Sequence, residues 1–248
     1  MNNDIILLFI LLLLLIYYKV IYNNNYNTID KFENLGIDNI DVIYFINLDH
    51  RIDRLYEFLT EMKKINFPFN KIVRISGVYK QNQGHLGCSL SHIKALENFI
   101  ASDYKNCIIF EDDFEFTQSA DKINQAFDNL FNNNIDFDVC MISSNTVSQQ
   151  NTKYPFLKKI DSTQTTSGYM VSQKFAYTLL KNFKKGAELL KNSYNNNNFK
   201  DEYAIDQYWK LLQPDNNWYV FEPKLGKQRS SHSDIMNGFV HMDVFNNL

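Results

Sequence analysis

The sequence predicts an α/β domain, a mostly parallel sheet flanked by helices, behind an apolar N-terminal segment that makes a slightly short single membrane span. Three observations carry this. Short apolar runs of strand length alternate with stretches whose apolar residues recur every three or four positions, the signature of strands and amphipathic helices taking turns. Of the 248 residues 45% are hydrophobic and 15% aromatic, enough to fill one sizeable core. The first 22 residues are far more apolar than the rest.

Ile5 to Tyr18 is uninterrupted apolar sequence, and Lys19 alone breaks a run that continues to Tyr22. A bilayer core takes about 20 helical residues, so residues 1–22 are expected to form a single transmembrane anchor. Tyr17, Tyr18 and Tyr22 stand where an interfacial aromatic belt would be, and Lys19 can snorkel. Asp4 precedes the run and no small-residue cleavage site follows it, which disfavours a removed signal peptide. Lys19, on the C-terminal side, leans towards a cytosolic domain, but one charge does not fix the side. Residues 23–40 are expected to be a linker and 41–248 the folded domain.

Val42–Asn47 (VIYFIN) is continuously apolar, as expected of a strand buried on both faces. Leu55, Phe58, Leu59, Met62 and Ile65 mark the inner stripe of a helix, and Lys71–Ile75 a second strand. Leu86, Leu90, Ile93, Leu96 and Ile100 mark a second helix behind a turn carrying Gly84 and Gly87. Asn106–Phe110 reads as a third buried strand. A helix with Ile123, Phe127, Leu130 and Phe131 follows, then a strand over Phe137–Ser143 and a short one over Tyr169–Val171. Ser172 is placed to cap a helix with Phe175, Leu179, Leu180 and Phe183 on one face. Asn195–Asn198 reads as a loop, Asp201 as the cap of a helix running to Leu212, and Trp218–Phe221 as the final strand.

The net charge of −3 offers no basic face for nucleic acid. Cys88, Cys107 and Cys140 are too few for a disulfide framework, and no asparagine begins a glycosylation sequon. Both features lean towards the cytosol.

In open α/β sheets ligands bind beyond the carboxyl ends of strands. Glu111, Asp112 and Asp113 stand there, directly after Asn106–Phe110. Continued extended, the chain would point Glu111 and Asp113 to one side and Asp112 to the other. Three adjacent carboxylates repel one another, and Mg²⁺ or Mn²⁺ relieves that repulsion while holding a diphosphate. A solvated acidic turn is the plainer reading. Asn47, Arg51 and Arg54 sit at a strand-to-helix junction suited to a phosphate or nucleotide, or merely to local pairing with Asp53. The segment Gly84–His92 is a glycine-bearing turn into a helix, where backbone could approach a ligand; His92 there is more often structural than a ligand.

The ordered set INLDHRIDR (46–54), GHLGCSLSHIKAL (84–96), IIFEDDFEF (108–116), SGYMVS (167–172), AIDQYW (204–209) and PKLGKQRSSHSDI (223–235) resembles glycosyltransferase family 25, the lipooligosaccharide and collagen galactosyltransferases. The resemblance implies a GT-A-like, Rossmann-related fold. It implies a nucleotide-sugar donor, usually UDP-linked, with Mn²⁺ (or Mg²⁺) as cofactor and inversion at the anomeric carbon. The transferred sugar would be galactose or glucose, and the acceptor a glycan, a lipid-linked saccharide or a protein hydroxyl. It assigns Glu111 and Asp113 to the metal, with His232 a possible late ligand. It assigns Asn47, Arg51, Arg54, Gly87, Ser91, His92, Asp112, Gly168 and Tyr169 to the donor. Asp206 becomes the candidate base, with Asp201 and Glu202 as competitors. The rival readings are an inactive glycan- or protein-binding relative, and a nucleotide-sugar hydrolase or nucleotidyltransferase.

Overall fold

The computed structural model describes residues 36–233 and 238–240, with the side chains of residues 232, 233 and 240 left out. The anchor expected over 1–22 and most of the linker therefore lie outside the described residues. Among the described residues no helix is long and apolar enough to cross a membrane.

A 3-10 turn (Gly36–Asn39) leads into β1 (Val42–Asn47), α1 (Ile52–Lys64), β2 (Ile72–Ser76), α2 (Gly84–Ile100), β3 (Asn106–Glu111) and β4 (Phe114–Phe116). Then come α3 (Ala120–Asn132), β5 (Val139–Met141), β6 (Asn145–Asn151), β7 (Leu157–Gln164), β8 (Gly168–Ser172) and α4 (Gln173–Asn195). After α5 (Ile205–Tyr208) follow β9 (Trp218–Phe221), β10 (Gly226–Gln228), β11 (Ser231–Ser233) and β12 (Gly238–Val240). Among the described residues the main sheet has eight strands in the order β2-β1-β3-β8-β5-β9-β7-β6, with β4–β10 and β11–β12 as separate pairs.

The sheet is mixed, which corrects the expected mostly parallel one. Pairs β1–β2, β1–β3 and β5–β9 are parallel, whereas β3–β8, β5–β8, β7–β9 and β6–β7 are antiparallel. The reason lies in the connections. Helical crossovers join β1, β2 and β3, but β7 and the β6–β7 hairpin return without one.

Both faces of the sheet are covered, and strand alternation sorts the core accordingly. Tyr44, Ile46, Ile109, Tyr169 and Val171 meet Leu96 and Phe99 of α2 and Leu179, Phe183 and Leu190 of α4. Ile43, Phe45, Ile108, Phe110 and Met170 meet Phe58 and Met62 of α1 and Ile123, Phe127 and Leu130 of α3. This is why VIYFIN shows no polar alternation: all six residues are buried. The packed body also reaches upstream of Asp41, since Ile37 is buried and its amide meets Asn124 Oδ1 at 3.4 Å.

Other differences are local. Gly84 and Gly87 lie inside the first turn of α2, not in a turn before it. The strand expected over Phe137–Ser143 shrinks to β5. Ser172 does stand at the start of α4, but its hydroxyl makes no cap and reaches the Asp138 carbonyl instead. The helix expected from Asp201 to Leu212 breaks into a 3-10 turn (Asp201–Tyr203), α5, and a second 3-10 turn (Trp209–Leu212).

Candidate active site

The chain leaves β1 through α1 to reach β2 on one side, then crosses through α2 to β3 on the other. The carboxyl ends of β1 and β3 therefore flank the point where strand order reverses, the usual place for a ligand crevice. Their register pairs Ile46 with Glu111, which sets Asn47 beside Asp112.

Two walls of polar side chains meet there. On the first, Asn47 Nδ2 donates to Asp112 Oδ2 at 2.7 Å and to the Arg51 carbonyl at 3.0 Å. Arg54, carried inward on α1, donates to Asp112 Oδ1 at 2.9 Å, to Asp113 Oδ2 at 3.3 Å and to Ser231 Oγ at 2.7 Å. Gln228 Nε2 adds a further donor to Asp113 Oδ2 at 3.1 Å. On the second wall, Glu111 Oε1 meets His92 Nε2 at 3.1 Å and the Thr166 hydroxyl at 2.5 Å, while His92 Nδ1 meets the Tyr169 hydroxyl at 3.0 Å. Cys88 lies one helical turn before His92, and ligand atoms of Cys88, His92 and Glu111 fall within 4.8 Å of one another.

The triplet is thus split differently from the extended-chain expectation. β3 ends at Glu111, which keeps the face of Ile109 and looks towards His92; Asp112 and Asp113 occupy a turn and both face Arg54. Strand alternation stops where the strand stops.

Electrostatics separate the three acids. Burial raises the Glu111 carboxyl, but the hydrogen bond and charge of His92 and the Thr166 hydroxyl outweigh it, so its pKa falls. Burial raises Asp112 despite Arg54 and Asn47. Burial, reinforced by Glu111, pushes Asp113 up to about 7. Asp113 Oδ1 is buried and has no hydrogen-bond partner among the described residues. Such an atom fits a ligand to a divalent cation, because an orphaned buried carboxylate oxygen is otherwise costly.

Asp206, half-buried at the start of α5, accepts the Thr165 amide on Oδ2 at 3.3 Å. Burial and the neighbouring Glu111 raise its pKa, against the pull of that amide.

The matching of residues 40–194 to glycosyltransferase family 25 (LPS biosynthesis protein) decides the affiliation, for it spans well over half the chain. The chain belongs to glycosyltransferase family 25. No curated protein matches it by sequence. Among solved structures it resembles A197 from STIV, at 12% identity and TM-score 0.41, over 73% of this chain and 81% of that one. It also resembles a glycosyltransferase involved in the glycosylation of the major capsid of PBCV-1, at 12% identity and TM-score 0.42, over 84% and 100%. A third is mannose-1-phosphate geranyltransferase from Thermus thermophilus, at 7% identity and TM-score 0.41, over 77% and 74%. At such scores these likenesses say nothing about mechanism.

In this family 25 glycosyltransferase the remaining candidates fall into two groups. Asn47, Arg54, Asp112, Asp113, His92, Glu111 and Tyr169 converge at the crevice. Several others serve the chain itself. Arg51 forks onto Asp53 at 2.8 and 3.0 Å and holds that carboxyl down to about 2. Ser91 accepts the Val78 amide and donates to the Gly87 carbonyl, both at 2.8 Å. A Cβ on Gly87 would meet the Val78 carbonyl at 2.4 Å, and one on Gly168 the Phe110 and Phe114 rings at 2.9 Å, so the chain's own atoms occupy the space these glycines leave. The backbone of His232 lies in β11 opposite Phe239, but its side chain lies outside the described part. Sequence reasoning missed Gln228, Thr165, Thr166 and Ser231. They sit on short polar strands and a loop with no hydrophobic period; only the position of Gln228 and Ser231 within PKLGKQRSSHSDI gave a signal.

Proposed function

We propose that the chain transfers a hexose, galactose or glucose, from a UDP-sugar to a hydroxyl of a glycan, lipid-linked saccharide or protein, with inversion, on a GT-A-like scaffold. The observation that carries this is the buried Oδ1 of Asp113 at the exit of β3, which has no hydrogen-bond partner among the described residues, on a carboxylate linked through Gln228 and Thr165 to the carboxyl of Asp206. Asp113 is the residue to hold Mn²⁺ or Mg²⁺, with Glu111 and His232 as further candidates. When bound, the cation supplies charge neutralisation for the departing diphosphate.

The protein's own residues do the rest. Asn47 and Arg54 fix Asp112 and Asp113 against rotation, and the Arg54 guanidinium adds positive charge beside the crevice where a diphosphate would lie. The pairing of His92 with Tyr169 and Glu111 holds the opposite wall rigid. Asp206 is the base that takes the acceptor hydroxyl proton as that oxygen attacks the anomeric carbon; its raised pKa makes it a stronger proton acceptor than an ordinary aspartate. Asp206→Asn should leave UDP binding within about 2-fold and cut transfer on the order of 10²- to 10⁴-fold. Steady-state transfer with UDP-galactose and UDP-glucose, beside calorimetric UDP binding in Mn²⁺, checks both; unchanged turnover removes Asp206 from the role. One feature favours the rival reading of a binding relative: Arg54 already compensates Asp112 and Asp113 from within. Product release from donor distinguishes the two.

A further inference from the structure

The loop between β7 and β8 contains a conformational outlier. Thr165 is β-branched and buried, yet its φ is 73°, in the left-handed region that a β-branched residue occupies only under strain. Strain of this kind persists where the surroundings over-determine it, and it clusters at functional sites. What the conformation achieves is visible in its bonds. The Thr165 amide points at Asp206 Oδ2 (3.3 Å) while its hydroxyl donates to Gln228 Oε1 (3.2 Å). Gln228 in turn donates Nε2 to Asp113 Oδ2 at 3.1 Å. Its amide is oriented so that each end meets a group of the right kind, an acceptor on one side and a hydroxyl donor on the other. The next residue, Thr166, donates to Glu111.

Building on the reading above, we infer that Gln228 and Thr165 are positioning residues, a two-residue spacer that fixes the candidate base Asp206 relative to the donor-side carboxylate Asp113. The backbone places both ends. The antiparallel register of β10 and β4 pairs Gln228 with Phe114, and the Arg229 amide donates to the Asp113 carbonyl at 2.7 Å, so the glutamine cannot drift from the triplet. At the other end, Trp209 anchors the turn after Asp206 by donating to the Thr163 carbonyl at 3.2 Å. A base and a leaving group on opposite sides of one anomeric carbon must keep a fixed separation, and a misplacement of about 1 Å can cost on the order of 100-fold in rate.

The test uses the full chain with UDP-galactose, UDP-glucose and MnCl₂, and two readouts. In the first, Gln228→Ala and Thr165→Gly should lower kcat on the order of 10- to 100-fold with donor KM within about 3-fold. Thr165→Ser, which keeps hydroxyl and amide, should stay near wild type. Because glycine accepts φ 73° freely, Thr165→Gly should melt no lower than Thr165→Ser while turning over far more slowly. In an Asp206→Asn background Gln228→Ala should cost less than about 2-fold more, since there is no base left to position. The second readout needs no turnover. In the metal-free chain Gln228→Ala should move the Thr165 amide resonance, as Asp206→Asn does, with Gln228→Asn as the alternative variant if alanine impairs folding. A wild-type chain that turns over no donor refutes the transferase reading, and the resonance then decides the spacer alone. Loss of kcat that merely follows melting temperature across Gln228→Ala, Thr165→Gly and Thr165→Ser, or a Thr165 resonance unmoved by Gln228 substitution, overturns the inference.

Discussion

At the scale of single residues the site is a problem of charge. Asp112 and Asp113 are buried beside Glu111, and the Arg54 guanidinium offsets them. Removing one partner of a buried ion pair strands the other, which typically costs about 3–5 kcal/mol. Arg54→Ala should therefore destabilise the metal-free chain by about that much, and added Mn²⁺ should recover part of the loss by binding the native state; denaturant melts with and without MnCl₂ measure both. The pH dependence has a definite sign. A carboxyl whose folded pKa lies above its unfolded value contributes stability that is present below the unfolded pKa and lost as pH rises through the folded one. For Asp113 that window runs from about 4 to about 7. Asp112 and Asp206 act in the same direction, whereas Glu111, with its lowered pKa, acts oppositely. Asp113→Asn should flatten the loss of metal-free stability across that window, read from urea midpoints at successive pH values.

At the scale of elements, helices and buried strands were legible because their hydrophobic periods are strong. The stripe through Leu55, Phe58 and Met62 and the unbroken VIYFIN run admit few alternatives, and both elements form. The edge hairpin was not legible: β6 reads NTVSQQN, polar throughout but for one valine and largely exposed, so pairing with β7 holds it rather than burial. The break in the helix expected over 201–212 has the same origin. Trp209 is fully buried against Tyr169 and Trp218 and bonded to Thr163, and these contacts override the local period. Trp209→Ala should cost about 3–5 kcal/mol and depress turnover further by releasing Asp206; chemical denaturation beside kinetics separates the two effects. In α2, Gly87→Ala would drive a methyl into the Val78 carbonyl. That overpacking should cost about 1–3 kcal/mol, visible as a lower melting temperature.

At the scale of the whole molecule, family and candidate crevice were legible while sheet direction was not. Ordered motifs named the residues that end β1 and β3, but strand sense depends on connections that polar segments such as residues 153–164 conceal. The domain start was likewise set by packing, since Ile37 and Ile40 are each 1% exposed although the segment around them reads as linker. Burying an isoleucine stabilises by about 1.5–3 kcal/mol, so a chain trimmed to begin at Asp41 should melt clearly below one trimmed to begin at Gly36. The function proposed for the molecule rests on Asp113 and its neighbours serving sugar transfer. Its most direct test is release of UDP, coupled to acceptor glycosylation, from a panel of UDP-sugars by wild type and by Glu111→Ala/Asp113→Ala in MnCl₂. Turnover that requires Mn²⁺ and falls on the order of 10³-fold in the double variant is the predicted result. Metal-dependent turnover left intact by that variant would contradict it.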